Sequence, residues 1–282
     1  MRNPVAVASD NLYLLLLVVP GLLVAVFYAL PVLNVLLLSV TYPQPTADNY
    51  RLLFNSASVQ SILLVTARIC VVTTVLTVLC AYVIAYRVVH APATEARLLL
   101  TAVLIAFWIS VLIRAFAWVA LLQPNGLVNN ALMAMGLIRE PLALVRNEVG
   151  VVIGMVHYMV PYAVLPLLGA MRGIDPALSA ASSSLGASRW QTFYKVFLPL
   201  SVPGVAGATI LVFILALGFY ITPAILGGGK VVMIAEYISL QMTETLRWGV
   251  AAMLAVVMLV TVGALIALSS RLPNVSVAKA AS

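Results

Sequence analysis

Two arginines lie inside long apolar stretches of the sequence, where a charged side chain needs a specific reason. Arg68 and Arg114 each stand about eight residues, or ~12 Å, from one end of a predicted helix. Arginines at such positions mark a function or face other protein groups. Either the two form a shared polar layer, or each extends to the surface or pairs with a loop acid such as Glu148 or Glu236. Both alternatives stay open, and our hypothesis for Arg114 is a structural, paired role.

Three tyrosines lie beside residues that interrupt helices. The tyrosines are Tyr158, Tyr162 and Tyr220, and the interrupting residues are Pro161, Pro166, Gly218 and Pro223. Irregular backbone at membrane depth is tolerated where it borders protein or a water-filled cavity. We therefore predict that these tyrosines, with Arg114, line a polar route between the helices, and the alternative is ordinary aromatic packing. His157 has no metal-ligand partner at helical spacing, and we expect it to be a packed histidine.

No set of residues with the spacing of a catalytic site occurs in the sequence. A nucleophile elbow, a zinc-binding H-E-x-x-H pair and a phosphate-binding P-loop are all absent. We therefore predict that the chain is not an enzyme, needs no cofactor or metal of its own and cannot hydrolyse ATP itself.

The composition is that of a membrane protein. Of 282 residues, 64% are hydrophobic and 8% are charged, with a mean hydropathy of +1.15. Soluble domains are about a quarter charged. Six segments are long and apolar enough to span a bilayer, which predicts an all-α protein with six transmembrane helices. The segments are Leu12–Val40, Ile62–Tyr86, Leu98–Leu122, Val149–Met171, Pro203–Ile225 and Gly249–Leu268. The first segment is too long for a signal peptide and is expected to remain as a span.

The charges predict the orientation of these spans. If the N-terminus is cytoplasmic, the cytoplasmic segments hold eight basic and three acidic residues, whereas the outer segments hold five of each. Basic residues favour the cytoplasmic side, so both termini are predicted to face the cytoplasm. The basic balance is then a topology signal, and it does not indicate nucleic-acid binding.

A polar interruption, residues 175–199, separates the fourth and fifth segments. Asp175 is a helix-capping residue before Pro176, and Gly186 is suited to end that helix. Ser188 and Gln191 have capping-box spacing for a second helix. That helix carries an aromatic stripe and is predicted to end at Leu198–Pro199; the stripe is Trp190, Phe193, Tyr194 and Phe197. The pattern predicts a helix–turn–helix, which we call the elbow. It either lies on the lipid headgroups or fits a groove on a cytoplasmic partner.

The elbow resembles the EAA motif of binding-protein-dependent ABC importer permeases, E-A-A-x3-G-x9-I-x-L-P. The match includes Ala181, Gly186, Leu198 and Pro199, with Val196 in place of isoleucine. In that family the motif docks into the ATP-binding subunit, which implies an ATPase-coupling role for Asp175, Ala180, Ala181, Gly186, Ala187, Leu198 and Pro199. The chain departs from the motif where Ala180 replaces the usual glutamate and Ser182 the second alanine.

Other strings extend the resemblance. Residues 112–118, 125–129 and 217–228 are similar to the spermidine/putrescine branch of these permeases, and the similarity covers roughly residues 57–270. It implies the MetI-like type I permease fold, with a first span and outer loop in residues 1–56, a permease core in 57–270 and a cytoplasmic tail in 271–282.

The resemblance also implies a function and partners. The chain would import a polyamine, or a related amino-acid-like or opine compound, through a bacterial inner membrane by alternating access. A cytoplasmic ATP-binding subunit dimer would supply the energy, a second permease subunit would complete the pore, and an extracytoplasmic solute-binding protein would deliver the solute.

Two rival classes fit the apolar composition. A self-contained secondary transporter or channel would need acids or proton relays at the membrane centre, yet all eight acids lie outside the predicted spans. A membrane-embedded enzyme would need paired acids or histidine clusters. The sequence therefore favours the importer permease.

Overall fold

The computed structural model describes residues 16–270, and within them all regular structure is helical. The predicted start at Leu12 and the tail 271–282 lie outside the described residues. In chain order the helices are α1 (Leu16–Thr41), α2 (Asp48–Asn55), α3 (Ala57–His90), α4 (Ala93–Trp108), α5 (Val111–Leu122), α6 (Leu127–Ala134), α7 (Glu148–Arg172), α8 (Pro176–Ser184), α9 (Arg189–Leu217), α10 (Ile221–Gly227), α11 (Ile234–Thr243) and α12 (Trp248–Ser270).

Six stretches of the described chain are long and apolar enough to cross a membrane, which confirms the predicted number. Five of them are α1, α3, α7, α9 and α12, and the sixth runs from Val111 to Ala134 across α5 and α6. The described chain divides into two compact units, residues 16–56 with 238–259 and residues 57–237 with 260–270.

In the first unit, most apolar side chains of α1 are exposed. Polar groups at its end hold it against α2, where Ser39 Oγ and Tyr50 OH lie 2.9 Å apart. Asn49 Nδ2 donates to the carbonyl oxygens of Ser39 and Tyr42. An apolar helix this exposed has lipid or other protein as its natural environment.

In the second unit, α3, α7 and α9 form the core. Their facing surfaces consist of small and medium apolar side chains, all less than 9% exposed: Ile69, Val78, Ala81 and Ala85 on α3; Met155, Met159, Ala163 and Leu167 on α7; Ala208, Val212 and Ala216 on α9. Gly204 of α9 lies directly against the Cβ of Ala170, so any side chain there would collide with α7. The small residues let the helices pack closely, as is typical of membrane bundles.

Two prolines that lie inside helices, Pro31 and Pro199, are accommodated by π turns. The turn Ala25–Ala29 comes two residues before Pro31, and the turn Phe193–Phe197 comes two residues before Pro199. Proline lacks an N–H donor and crowds the carbonyl four residues earlier. A π turn widens the helix at that carbonyl, and this explains why both helices continue past their prolines.

Helix α7 is also continuous, although it contains Pro161 and Pro166. The prediction that these prolines break a helix beside Tyr158 and Tyr162 is therefore wrong. Both prolines lie in a helix enclosed by α3 and α9, and neighbouring helices stabilise a membrane helix against the loss of single backbone bonds.

The predicted third span, Leu98–Leu122, is not one helix. It is interrupted at Ile109 and Ser110, whose extended backbones separate α4 from α5. Neither glycine nor proline marks this break. Instead, the Nη2 of Arg114 donates to the carbonyl oxygen of Ile109 at 2.6 Å, and so satisfies a carbonyl at the open end of α4.

Both ends of the fifth span differ from the predicted ends, Pro203 and Ile225. The span does not begin at Pro203, because α9 begins at Arg189 and continues through Pro199 and Pro203. At the other end the helix stops at Leu217, and the chain turns at Gly218 into the short α10, which packs against α5 and α7. The break at Gly218 confirms the interruption predicted beside Tyr220.

Candidate functional site

The first arm of the elbow is α8, and its start agrees with the sequence pattern. Asp175 Oδ1 accepts a hydrogen bond from the Ala177 N–H at 2.8 Å, and Pro176 occupies the first helical position. Ala180 and Ala181, the positions matched to the motif, are both exposed. The arm thus presents a surface of small side chains that a partner can approach closely.

The turn between the two arms depends on Gly186. Its φ angle is +83°, in the left-handed region that a side chain disfavours, and its N–H donates to the Ser183 carbonyl at 3.0 Å. Ala187 follows, half-buried. Gly186, which the sequence predicted to end the helix, therefore has the left-handed backbone conformation that is typical of a glycine after a helix.

The second arm starts with the predicted capping box. Ser188 Oγ accepts from the Gln191 N–H at 3.3 Å, and Gln191 Oε1 accepts from the Ser188 N–H at 2.8 Å. Contrary to prediction, this arm does not end at Leu198–Pro199. It continues without interruption into the span, so that Leu198 and Pro199 lie inside α9.

A hydrogen bond that the sequence reasoning missed joins the two arms. Ser182 Oγ and Thr192 Oγ1 lie 3.1 Å apart. Ser182 stands where the family motif usually has alanine, so the departure from the motif was a visible signal. The bond helps to set the angle between the arms.

The aromatic stripe of the second arm is divided between two environments. Phe193 and Phe197 pack edge-to-face on Tyr86, with ring centroids 5.3 and 5.1 Å away. Trp190 and Tyr194 are 72% and 60% exposed. One half of the stripe fixes the elbow to α3, and the other half is available to lipid or to another molecule.

Three of the four predicted route residues come together in the second unit. The Arg114 guanidinium lies over the ring of Tyr158, 4.7 Å from its centroid. The Tyr158 and Tyr162 hydroxyl groups are 3.1 Å apart. Phe107 and Phe219, which the sequence reasoning did not identify, extend the cluster by packing on Tyr162 and Tyr158.

Arg114 is the unusual member of this cluster. It is only 6% exposed, and its Nε and Nη1 have no hydrogen-bond partner among the described residues. It forms no ion pair within residues 16–270, so the expected pairing with an acid is absent there. Its contacts with Ile109 and Tyr158 nevertheless connect the α4–α5 break to α7.

Tyr220 lies apart from the other route candidates. It caps the start of α10, where its carbonyl accepts from the Ala224 N–H at 3.1 Å, and its side chain is 44% exposed. Its neighbour Phe219 contacts Tyr158. Tyr220 thus borders the helix break rather than the tyrosine pair.

Arg68 does not share a polar layer with Arg114. Arg68 pairs with Glu148, the first residue of α7, and the pair joins the ends of α3 and α7. Tyr158, the contact of Arg114, lies ten residues further along α7, which is about 15 Å. The alternative in which an arginine pairs with an acid is confirmed for Arg68.

The acids lie at the ends of the spans or beyond them. Among the described residues, only Glu148 falls within a span, of which it is the first residue. This is a small correction to the prediction that all eight acids lie outside the spans. Glu236 lies in α11, 7% exposed. Burial raises the pKa of the Glu236 carboxyl, and a hydrogen bond with the Met233 backbone opposes that rise.

His157 accepts a hydrogen bond from Trp118 Nε1 at 3.1 Å and is a packed histidine, as predicted.

The six apolar helices define a polytopic membrane protein. Residues 96–272 match the family described as "binding-protein-dependent transport system inner membrane component", and the chain belongs to this family. It is a multi-pass inner-membrane protein and the non-catalytic permease subunit of an ABC importer.

Two curated relatives show how far the similarity extends. The spermidine/putrescine transport system permease protein PotB of Haemophilus influenzae is 30% identical over 222 residues, covering 79% of this chain and 73% of that protein. The inner membrane ABC transporter permease protein YdcU of Escherichia coli is 32% identical over 204 residues, covering 67% of this chain and 64% of that protein.

A solved structure shares the fold. A chain of a bacterial alginate ABC transporter, in complex with an alginate pentasaccharide-bound periplasmic protein, aligns with a TM-score of 0.77 at 21% identity. The alignment covers 98% of this chain and 100% of that chain. The fold predicted from the family resemblance, that of an ABC importer permease, is confirmed.

Proposed function

We propose that this permease imports a polyamine such as spermidine or putrescine, or a related amino-acid-like or opine compound. The observation that supports the substrate class is the 30% identity to PotB over 79% of the chain. Of the two membrane arginines, only Arg114 lacks an ion pair within residues 16–270, so it disfavours a cation at the face of Tyr158 that it covers. Arg68 is paired with Glu148, and the Arg114 charge is buried against Tyr158.

The proposed mechanism is alternating access driven from the elbow. A dimer of cytoplasmic ATP-binding subunits contacts Asp175, Ala180, Ala181, Gly186 and Ala187, and its closure moves α9 within the core at residues 57–270. A second permease subunit, most simply a related chain, completes the pore. The exposed small side chains of α8 support this contact surface, and the excess of basic residues supports a cytoplasmic elbow and cytoplasmic termini.

An extracytoplasmic binding protein delivers the solute in this proposal. The aligned alginate transporter was solved with its periplasmic binding protein. ATP hydrolysis by the reconstituted complex should be stimulated by the binding protein loaded with a polyamine. Stimulation only by a carboxylate-bearing solute would reject the polyamine class, and solute flux through the purified chain alone would favour a self-contained transporter.

We expect the tyrosine hydroxyls to contribute to solute binding. In this proposal Tyr158, Tyr162 and Tyr220 line the route, since aromatic faces and hydroxyl oxygens both suit an ammonium group. Tyr162→Phe keeps the ring and removes the hydroxyl 3.1 Å from Tyr158. One lost hydrogen bond, about 1 kcal/mol, should weaken the apparent affinity for polyamine about fivefold.

The measurement is the polyamine concentration that half-saturates uptake into proteoliposomes. Tyr28→Phe, at an exposed position in the first span, is the matched control and should leave this value unchanged. An unchanged value in Tyr162→Phe would mean that the hydroxyl pair only packs α7.

A further inference from the structure

A groove lies where the elbow meets the end of α3. Its volume is about 400 Å³, and it is lined by Tyr82, Val83 and Tyr86 of α3 and by Arg189, Trp190 and Phe193 of α9. Five of these six side chains are aromatic or apolar, and the sixth is a guanidinium. The groove therefore combines an apolar floor with one cationic group.

The apolar floor continues along α3 as an exposed stripe. Leu76, Leu79 and Val83 are 42%, 59% and 67% exposed and recur at helical spacing on one face. The opposite face of the same helix is buried in the core. Since α3 is a membrane span, this stripe has an apolar environment that leads directly into the groove.

The cationic group, Arg189, is one of the residues that line the groove. Arg189 is the first residue of α9, and the Ser188–Gln191 capping box fixes the start of that helix. Arg189 is exposed and forms no ion pair within residues 16–270. Its neighbour Trp190 is 72% exposed, as is typical of aromatic residues at a membrane–water boundary.

We propose that this groove binds an anionic phospholipid. The phosphate group lies against Arg189, and one acyl chain follows Val83, Leu79 and Leu76 along α3. Two observations support this occupant: Arg189, which has no ion pair within residues 16–270, complements a phosphate, and the apolar floor is continuous with the exposed stripe on a membrane span. In this proposal the elbow contacts the ATPase through its first arm and lipid through its second arm. Both alternatives for the elbow, contact with lipid headgroups and contact with a cytoplasmic partner, would then apply.

The test compares lipid retention by variants of the complete transporter. The complex is placed in nanodiscs of phosphatidylglycerol and phosphatidylcholine, extracted gently, and its retained phospholipid is measured by mass spectrometry. Arg189→Gln should retain about fivefold less phosphatidylglycerol, the effect of one basic residue near anionic lipid. Lys195→Gln is the matched control, because Lys195 is exposed on the same helix and does not line the groove.

A second variant tests the acyl-chain part of the site. Val83→Trp fills the groove from an exposed position, so it should lower the retention of both lipids without disturbing the core. The proposal is overturned if Arg189→Gln retains as much phosphatidylglycerol as the parent chain, or if Lys195→Gln loses as much. It is also overturned if a photo-reactive group at Trp190 links to another protein subunit instead of to lipid.

Discussion

Replacing Gly186 by valine should reduce ATP-driven uptake about 5- to 30-fold. A side chain at a φ of +83° disfavours the native turn by about 1–2 kcal/mol, and a β-branched one belongs at the upper end. No atom lies within 4 Å of the added Cβ, so the cost comes from the backbone and not from a collision. The turn would relax to another angle and misplace the first arm.

Copurification of the ATP-binding subunit with the permease measures this effect alongside uptake. Gly136→Val is the matched control, because Gly136 also has a positive φ of +71° and no atom within 4 Å of an added Cβ. It follows α6, outside the elbow, and should leave ATPase copurification intact. Equal losses in the two variants would show that the effect is general destabilisation and not uncoupling.

Replacing Arg114 by alanine should lower both the stability of the chain and its uptake. The variant loses a charge-assisted hydrogen bond to Ile109, worth about 1.5–3 kcal/mol, and the contact with the Tyr158 ring, worth about 0.5–2 kcal/mol. Part of this loss is offset because two buried, unpartnered nitrogens also disappear. We expect a fall of about 5 °C in the melting temperature of the purified complex.

Arg114→Lys should lie between the parent chain and alanine, since lysine keeps the charge but lacks the planar group that stacks on the ring. Arg139→Ala, at an exposed position, is the control and should change neither property. Uptake lost at an unchanged melting temperature would contradict the structural role and place Arg114 at the solute.

The features that the sequence predicted well are local ones. The caps at Asp175 and Ser188 and the stop at Gly186 each depend on residues fewer than five positions apart, so a pattern of neighbours determines them. The number of spans was also predictable, because twenty consecutive apolar residues have few alternatives to a membrane helix.

The features that the sequence did not predict depend on distant contacts. The break at Ile109 has no glycine or proline beside it and is stabilised by the side chain of Arg114, which in turn rests on Tyr158 of another helix. The Arg68–Glu148 pair joins residues 80 positions apart. Pro199 was read as a stop because its local preference is clear, yet the preceding π turn removes the conflict.

The continuity of α9 has a mechanical consequence. Its 29 residues form one continuous helix of about 44 Å that contains a π turn and two prolines, Pro199 and Pro203. If this helix moved as one rigid body, each ~5° of tilt imposed at Arg189 would displace Leu217 by about 4 Å. In the proposed mechanism, a small rotation at one membrane face would then be enough to widen or close the solute route at the other.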